Sequence, residues 1–464
     1  MSRVRAIAWL TFREGIRMRI VVIFLVVLGV LIVLLPDELR GDETIAGRLQ
    51  NFLSYSLGAM GFLLSLATVF FSCATLTTEL KEKSLHLVVT KPVSRFEILL
   101  GKWLGVNLLN VLIVALCGVA IYAFASEIKS RPQQFARDRY KVRDVVWTAR
   151  IATTPVVPEK KITEAAKRYV EAGLQSGEIA VSQRGKAYAE RVETLLKQWR
   201  VVPNGNVRAY RFENLLPPEA ADTVFQVRYK VNGIPLPPEE IVHIGWAFLD
   251  PEDNSPLHEP TWMEERSGQV HQFLATAAPV IRDGVAELLV INPFNPVSSS
   301  AYNFDGQDSL QLLYKAGSFE VNFIKVLLVV LLRLSLLSAL GIFFGVFVSF
   351  PVACLCVCAF LVICMGMPFW LESVGAGMEH GAGGEADPYG MFGPAVRVLL
   401  VPLMRFAFPD FTRYSGVQHL IEGEYISLAL VGRCCLHTLV YGTALLLIPG
   451  WLLFRRKEIA EVMV

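Results

Sequence analysis

Of the 464 residues in this sequence, 53% are hydrophobic and only 19% charged, with 44 Lys+Arg against 42 Asp+Glu. Soluble globular chains carry roughly one quarter charged residues, so the composition excludes an ordinary soluble protein, and nothing in it points to a nucleic-acid partner. Residues 126–320 hold 48 of the 86 charges, which is the pattern of a membrane chain with one large water-soluble insertion.

A bilayer core about 30 Å thick needs roughly 20 apolar residues in a helix. Six segments meet that test, at residues 20–35, 52–76, 103–125, 321–348, 352–370 and 431–454. The first reads as a retained span and not a cleaved leader, because its apolar run is long and "PDELRGDET" follows it where a small-residue cleavage site would be. Only "SFP" separates the fourth from the fifth, which predicts a tight helical hairpin. Lys and Arg near span ends stay cytoplasmic. Residues 1–19 carry five Arg against one Glu, and residues 79–102 carry five Lys+Arg against three Glu. Residues 36–50 hold four acids against two Arg, and residues 372–430 seven acids against three Arg. The two sets alternate as six spans require, which predicts cytoplasmic termini, a cytoplasmic loop at 79–102 and an extracytoplasmic insertion at 126–320.

The loop "ELKEKSLHLVVTKPVSRFEILLGKW" has a readable design. Good helix formers with an i,i+4 pair, Glu79 and Lys83, predict a first short helix. Pro92 breaks it, since the residue before Pro is pushed out of the α region. Ser94 with Glu97 three residues later is a capping box for a second helix, continuous through Gly101 and Lys102 into the third span. On these residues alone the loop is either a capped element that a partner pushes on, or an ordinary basic juxtamembrane loop held by lipid headgroups.

Glu79, Glu82, Ser84 and Leu85, followed by Pro92, Ser94, Arg95, Gly101 and Lys102, resemble in order the coupling loop of type-2 ABC transporter permeases. Ser84 departs from that family, which commonly has Gly-Thr before the Leu. The start "AIAWLTFREGIRMRI" is similar to the family's amphipathic first helix, with Trp9, Leu10 and Phe12 able to lie on membrane lipid. The tail "LFRRKEIAEV" and the segment "VRVLLVPLMRFAFPDF" are similar too, the latter to partly re-entrant outer helices within residues 372–430. The resemblance covers residues 1–125 and 321–464. It implies a bacterial inner-membrane exporter permease that pairs with a second permease copy, in a homodimer or heterodimer, and with ABC ATPase subunits. The chain has no G-x-x-x-x-G-K-[ST] phosphate loop, so ATP and Mg would be bound by the ATPase, with no cofactor in this chain. The resemblance further implies that Glu79, Glu82 and Arg95 make polar contacts with the ATPase, with Leu85 and Phe96 supplying the apolar part. A membrane-anchored extracytoplasmic binding or sensor protein without transport is the alternative.

The fold class expected is therefore an α-helical polytopic membrane protein with six transmembrane helices and an inserted extracytoplasmic α+β domain. Within the insertion, 159–200 reads as a helical pair broken at the Ser-Gly of "QSGE". Five period-two stretches follow from residue 207 onward, separated by Pro, Gly and Asn, and with an early strand near "KVRDVVWTAR" they suggest a β-sandwich. His243, His258 and His271 lie among Asp250, Glu252, Asp253 and Glu259, but no H-x-H, H-E-x-x-H or G-x-S-x-G occurs. A binding or docking role, toward a protein or a glycan, is the better reading than catalysis. Trp246 and Trp262 could stack on such a ligand or fill a core.

All eight Cys fall in or beside the spans. In a helix Cys354 and Cys358 of "CLCVC" share a face while Cys356 points elsewhere, so packing is a better reading than soft-metal binding. Lys325 and Arg433 lie near span ends, whereas Arg333 lies deeper and is the intramembrane charge to test. Gly341-x-x-x-Gly345 and Ser338 suit the same helix to close packing.

Overall fold

The computed structural model describes residues 2–38, 44–81, 93–131, 138–139, 141–215, 224–250, 253, 255–276, 280–296, 299–306, 308–367, 369, 408–409, 411 and 415–456. The chain divides into two compact units, Met1–Ala149 together with Gly317–Val464, and Arg150–Ala316. The first contains helices α1 (Ser2–Arg17), α2 (Arg19–Glu38), α3 (Ile45–Lys81) and α4 (Arg95–Ser130). The second contains α5 (Glu159–Ser176) and α6 (Arg184–Trp199). After it come α7 (Phe319–Gly345), α8 (Phe350–Met365), α9 (Gly416–Ile421), α10 (Leu428–Cys435), a π-helical segment Leu436–Thr443, and α11 (Ala444–Arg456).

Among the described residues, α3, α4 and α7 are long and apolar enough to cross a membrane, and α1 with α2, bent by 61°, makes a fourth if the pair is one span. α8 has 16 residues. At 1.5 Å per residue that is about 24 Å, short of a full hydrocarbon core. The stretch predicted as one span at 431–454 is instead α10, the π-helical segment and α11 in tandem. Pro449 lies inside α11, where it removes a backbone donor, and the π-helical segment adds a wider turn. The α7–α8 connection starts at Val346 and ends at Ser349, so Phe350 and Pro351 belong to α8 and not to the turn. Pro is accommodated there because first-turn amides have no intrahelical acceptor.

Close helix approach in this unit is set by two small-residue pairs. Gly101 and Gly105 of α4 face α1, where a Cβ would fall 2.8 Å from Ile7 Cβ and 2.6 Å from the Ala8 carbonyl oxygen, respectively. Gly341 and Gly345 of α7 face α3 between Ser72 and Thr77. Helix ends are tied by side chains from far along the chain. Asp138 accepts from the amides of Ile45 (2.9 Å) and Ala46 (3.0 Å), satisfying two orphan donors at the start of α3. Asn322 bridges the Glu424 carbonyl and the Ile426 amide, and Lys325 donates to the Ile426 carbonyl at 2.8 Å while lying 3.8 Å from the Tyr425 ring. Lys325, expected near a span end, is thus fixed on backbone.

In the second unit the strands are β1 (Ala149–Thr153), β2 (Val201–Val202), β3 (Val207–Phe212), β4 (Val224–Lys230), β5 (Asn232–Ile234), β6 (Ile241–Leu249), β7 (Thr261–Arg266), β8 (Val270–Thr276), β9 (Ala286–Ile291), β10 (Ala301–Asn303) and β11 (Leu310–Gly317). They form sheets of order β1-β11-β4-β8, β2-β10-β5 and β3-β9-β6-β7. Residues from all three meet in one core around Trp246, Tyr229, Phe225, Phe248 and Tyr302. The helical pair forms, with Gly177 in the left-handed conformation closing α5. The early strand expected over 141–150 is displaced: Lys141–Val146 is a π-helical turn and β1 begins only at Ala149. Consecutive β7 and β8 belong to different sheets, the chain turning at Gly268 with φ 79°.

Candidate functional site

Where α3 ends and α4 begins, three helix ends are fastened together. Ser94 caps α4: its hydroxyl accepts from the Glu97 amide (3.2 Å) and its own amide donates to Glu97 Oε2 (2.8 Å), so the capping box is closed. Arg95, the first residue of α4, donates through Nη1 to the carbonyls of Phe454 and Arg455 (3.0 Å to the latter) at the end of α11, with its guanidinium 5.5 Å from the Phe454 ring. A cation on the unsatisfied C-terminal carbonyls of another helix is the favourable polarity. Phe96 stands edge-on to Trp451 at 6.1 Å and is 37% exposed.

About two turns further, Lys102 is 2% exposed. Its ammonium pairs with Glu79 Oε2 at 2.7 Å and donates to the Thr75 carbonyl at 2.9 Å, fixing α4 to the last turns of α3. A buried ammonium needs such a partner, because desolvation would otherwise favour the neutral form. Gly101 lies on α1 beside Ile7. The loop's two flanks are therefore joined to each other, to α1 and to α11. Glu82, Ser84, Leu85 and Pro92 lie outside the described residues.

Sequence reasoning missed two anchors on the same helix. Trp103 Nε1 donates to the Ser335 carbonyl at 3.2 Å, and Asn107 Nδ2 to Ser338 Oγ at 3.2 Å, tying α4 to α7. Polar side chains at i and i+4 inside an apolar run were the available signal. Just before these residues on α7, Arg333 donates to the Gly61 carbonyl of α3 at 2.6 Å.

In the second unit Trp246 is 1% exposed and Trp262 55%, so the first is core and the second is at the surface. His243 and His271 pair across strands or along the turn with Glu264 (3.4 Å) and Glu265 (2.8 Å), and Asp250 pairs with Arg282 at 2.6 Å. The Ser255 hydroxyl, and then its amide at 2.9 Å, hold the Asp253 carboxyl below the usual range by hydrogen bonding. Glu252 lies outside the described residues. No group of three or more His, Cys, Asp or Glu placed to hold a metal occurs among the described residues. Cys354 packs with Cys73 of α3 in one apolar cluster, with Cys358 at its border and Cys356 outside it.

None of the curated proteins compared matches the chain. Residues 5–136 match the model of the ABC-2 family transporter protein, a segment that runs from α1 through α4 and includes the Arg95 and Lys102 anchors. Over that stretch, little more than a quarter of its length, the chain is similar to the membrane component of type-2 ABC transporters, and its long apolar helices are those of a multi-pass membrane protein.

Proposed function

We propose that this chain is the permease subunit of an ABC exporter in a bacterial cytoplasmic membrane. Six spans, with both termini cytoplasmic, form the translocation path with a second copy, and 126–320 is an extracytoplasmic sandwich domain that meets a protein or glycan. A separate ABC ATPase binds ATP and Mg and pushes on 79–102 through Glu82, Ser84, Leu85, Pro92, Arg95 and Phe96.

The observation that carries this reading is the fastening of the loop's flanks. Displacement at Ser94–Arg95 cannot leave α11 in place without breaking the Arg95 bonds to Phe454 and Arg455. Nor can Lys102 move without dragging α3 through Glu79 and Thr75. A conformational change driven by nucleotide reaches the spans only through contacts that differ between two states, and these are short, charge-assisted contacts suited to transmitting it.

The test is co-purification of the native chain with its ATPase, followed by Arg95→Glu and Phe96→Asp. Capture of an ATPase subunit that the two variants lose supports the reading. Absence of any ATPase, with complexes unchanged by Arg95→Glu, overturns it and leaves the membrane-anchored binding protein.

A further inference from the structure

Beside Arg333, midway along α7, lies a cavity of about 430 Å³ within the first unit. Its walls come from α3, α7, Phe411, the start of α9 and the α10/π-helix junction. Sites for small molecules run from roughly 300 to 1,000 Å³, so the space suits a headgroup with the first methylenes of a chain. Its lining is mixed: Leu57, Val329 and Val330 are apolar, while Ser54, Gln418 and Thr438 add hydroxyls and an amide. The π-helical segment beginning at Leu436 contributes Thr438, and wide turns of this kind recur at functional sites.

Arg333 is incompletely satisfied there. Among the described residues its one hydrogen bond is to the Gly61 carbonyl and its buried Nε has no partner, while its guanidinium carbon is 5.8 Å from the Phe411 ring. Among the described residues no carboxylate pairs with it. A guanidinium offers five donors in a rigid fork. If its role were only to fasten α7 to α3, a neutral donor would make the Gly61 bond without the cost of an intramembrane charge. The complement this group lacks is an anion with two acceptor oxygens, a phosphate or carboxylate. The Val and Leu wall next to it complements hydrocarbon, which excludes a fully hydrophilic anion.

We propose that this cavity binds an anionic amphiphile, its phosphate or carboxylate on Arg333 and its hydrocarbon against the apolar wall of α3 and α7. That the bound molecule is cargo rests on the permease reading; the binding itself does not. The same chemistry describes a resident anionic lipid.

The probe is dodecyl phosphate added to the full chain in dodecyl maltoside, with dodecyltrimethylammonium as the cationic control and thermal unfolding as the readout of binding. Wild type is expected to show a saturable rise in Tm with the phosphate alone. Arg333→Gln should weaken the apparent Kd about 10- to 100-fold, the loss expected of a charged hydrogen-bond pair, and Arg333→Lys should restore part of it. Gly58→Leu keeps Arg333 and meets open space, since a Cβ there has nothing within 4 Å, yet fills the cavity wall and should weaken binding similarly. If Arg333→Gln does not fold, Arg333→Lys and Gly58→Leu decide. Equal shifts in all forms, or none in wild type, overturn the proposal. Native mass spectrometry with phosphatidylglycerol, before and after ATP turnover by the complex in phosphatidylcholine vesicles, separates the sources: release marks cargo, retention a resident lipid. Failure to bind with the ATPase still captured sinks this inference alone; binding without ATPase capture sinks only the assignment as cargo.

Discussion

The two units use their charges differently. In the membrane unit, the cations inside the helix packing reach main-chain oxygens: Arg95 on Phe454 and Arg455, Lys102 on Thr75 as well as on Glu79, Lys325 on Ile426, Arg333 on Gly61. In Arg150–Ala316 half-exposed arginines meet carboxylates, as Arg211 does with Glu213 and Glu287, and Arg282 with Asp250. The contrast follows from solvent. Away from water a cation must find its acceptors within the protein, and main-chain oxygens supply them, whereas in the second unit water covers exposed carbonyls and leaves side chains to pair with one another. Charge in the first unit holds backbone and thereby fixes helix positions, while in the second it pairs mostly side chain to side chain, as buried Arg150 does with Gln226, around a fold held by its aromatic core.

If so, the greatest single loss should come from the core of the second unit. Trp246→Ala should cost about 3–5 kcal/mol. Hydrogen exchange of the full chain should quicken across the amides of β6 and β9 while capture of an ATPase is unchanged; an effect confined to α3 and α4 would overthrow the contrast. Lys102→Met should cost about 2–3 kcal/mol, below a fully buried pair because Glu79 is 23% exposed, and should loosen α3 and α4 without touching the second unit. Adding Glu79→Gln should recover part of that loss, since the stranded carboxylate is then neutral; strict additivity in thermal unfolding would show that the pair is not coupled. Ser94→Ala should cost about 1 kcal/mol by opening the capping box, read as faster exchange in the first turn of α4 alone.

The smallest effect concerns His419 and Glu424, 2.8 Å apart in the first unit. The hydrogen bond to Glu424 raises the His419 pKa above its ordinary 6.5. A raised folded pKa means that the stabilisation is fully present below the unfolded value and is lost as pH rises through the folded one. With His419 42% exposed, solvent screening keeps the gain small. Exchange of the amides in α9 should therefore quicken modestly as pH rises above the ordinary 6.5, and His419→Gln should flatten that dependence. A flat profile in the native chain would remove this pair from the account.

Local signals were the legible part. Ser94 and Glu97 announced a capping box, "QSGE" a helix break, and "TVFQVRYKV" and "IVHIGWAFLD" strands, because each depends on neighbours in sequence. β7 was not legible: consecutive charges in "TWMEER" hide the alternation, since both faces of that edge strand are largely exposed. The 141–150 segment read as a strand because its apolar residues are β-branched or aromatic, yet Val142 and Val146 pack into the membrane unit's core at helical spacing. At Gly101 and Gly105 the small-residue spacing is in the sequence, but that α1 lies across it is not.

By itself the sequence determined the membrane character, the charge-rich middle stretch and the capped start of α4, since composition and nearest-neighbour chemistry suffice for these. Only the tertiary structure decided what Arg95, Lys102 and Arg333 touch. Arg95 and Phe454 are 359 residues apart, and no periodicity carries a partner across that distance. Such pairings are set by which helix ends lie side by side, and by the need in lipid to give every carbonyl a donor.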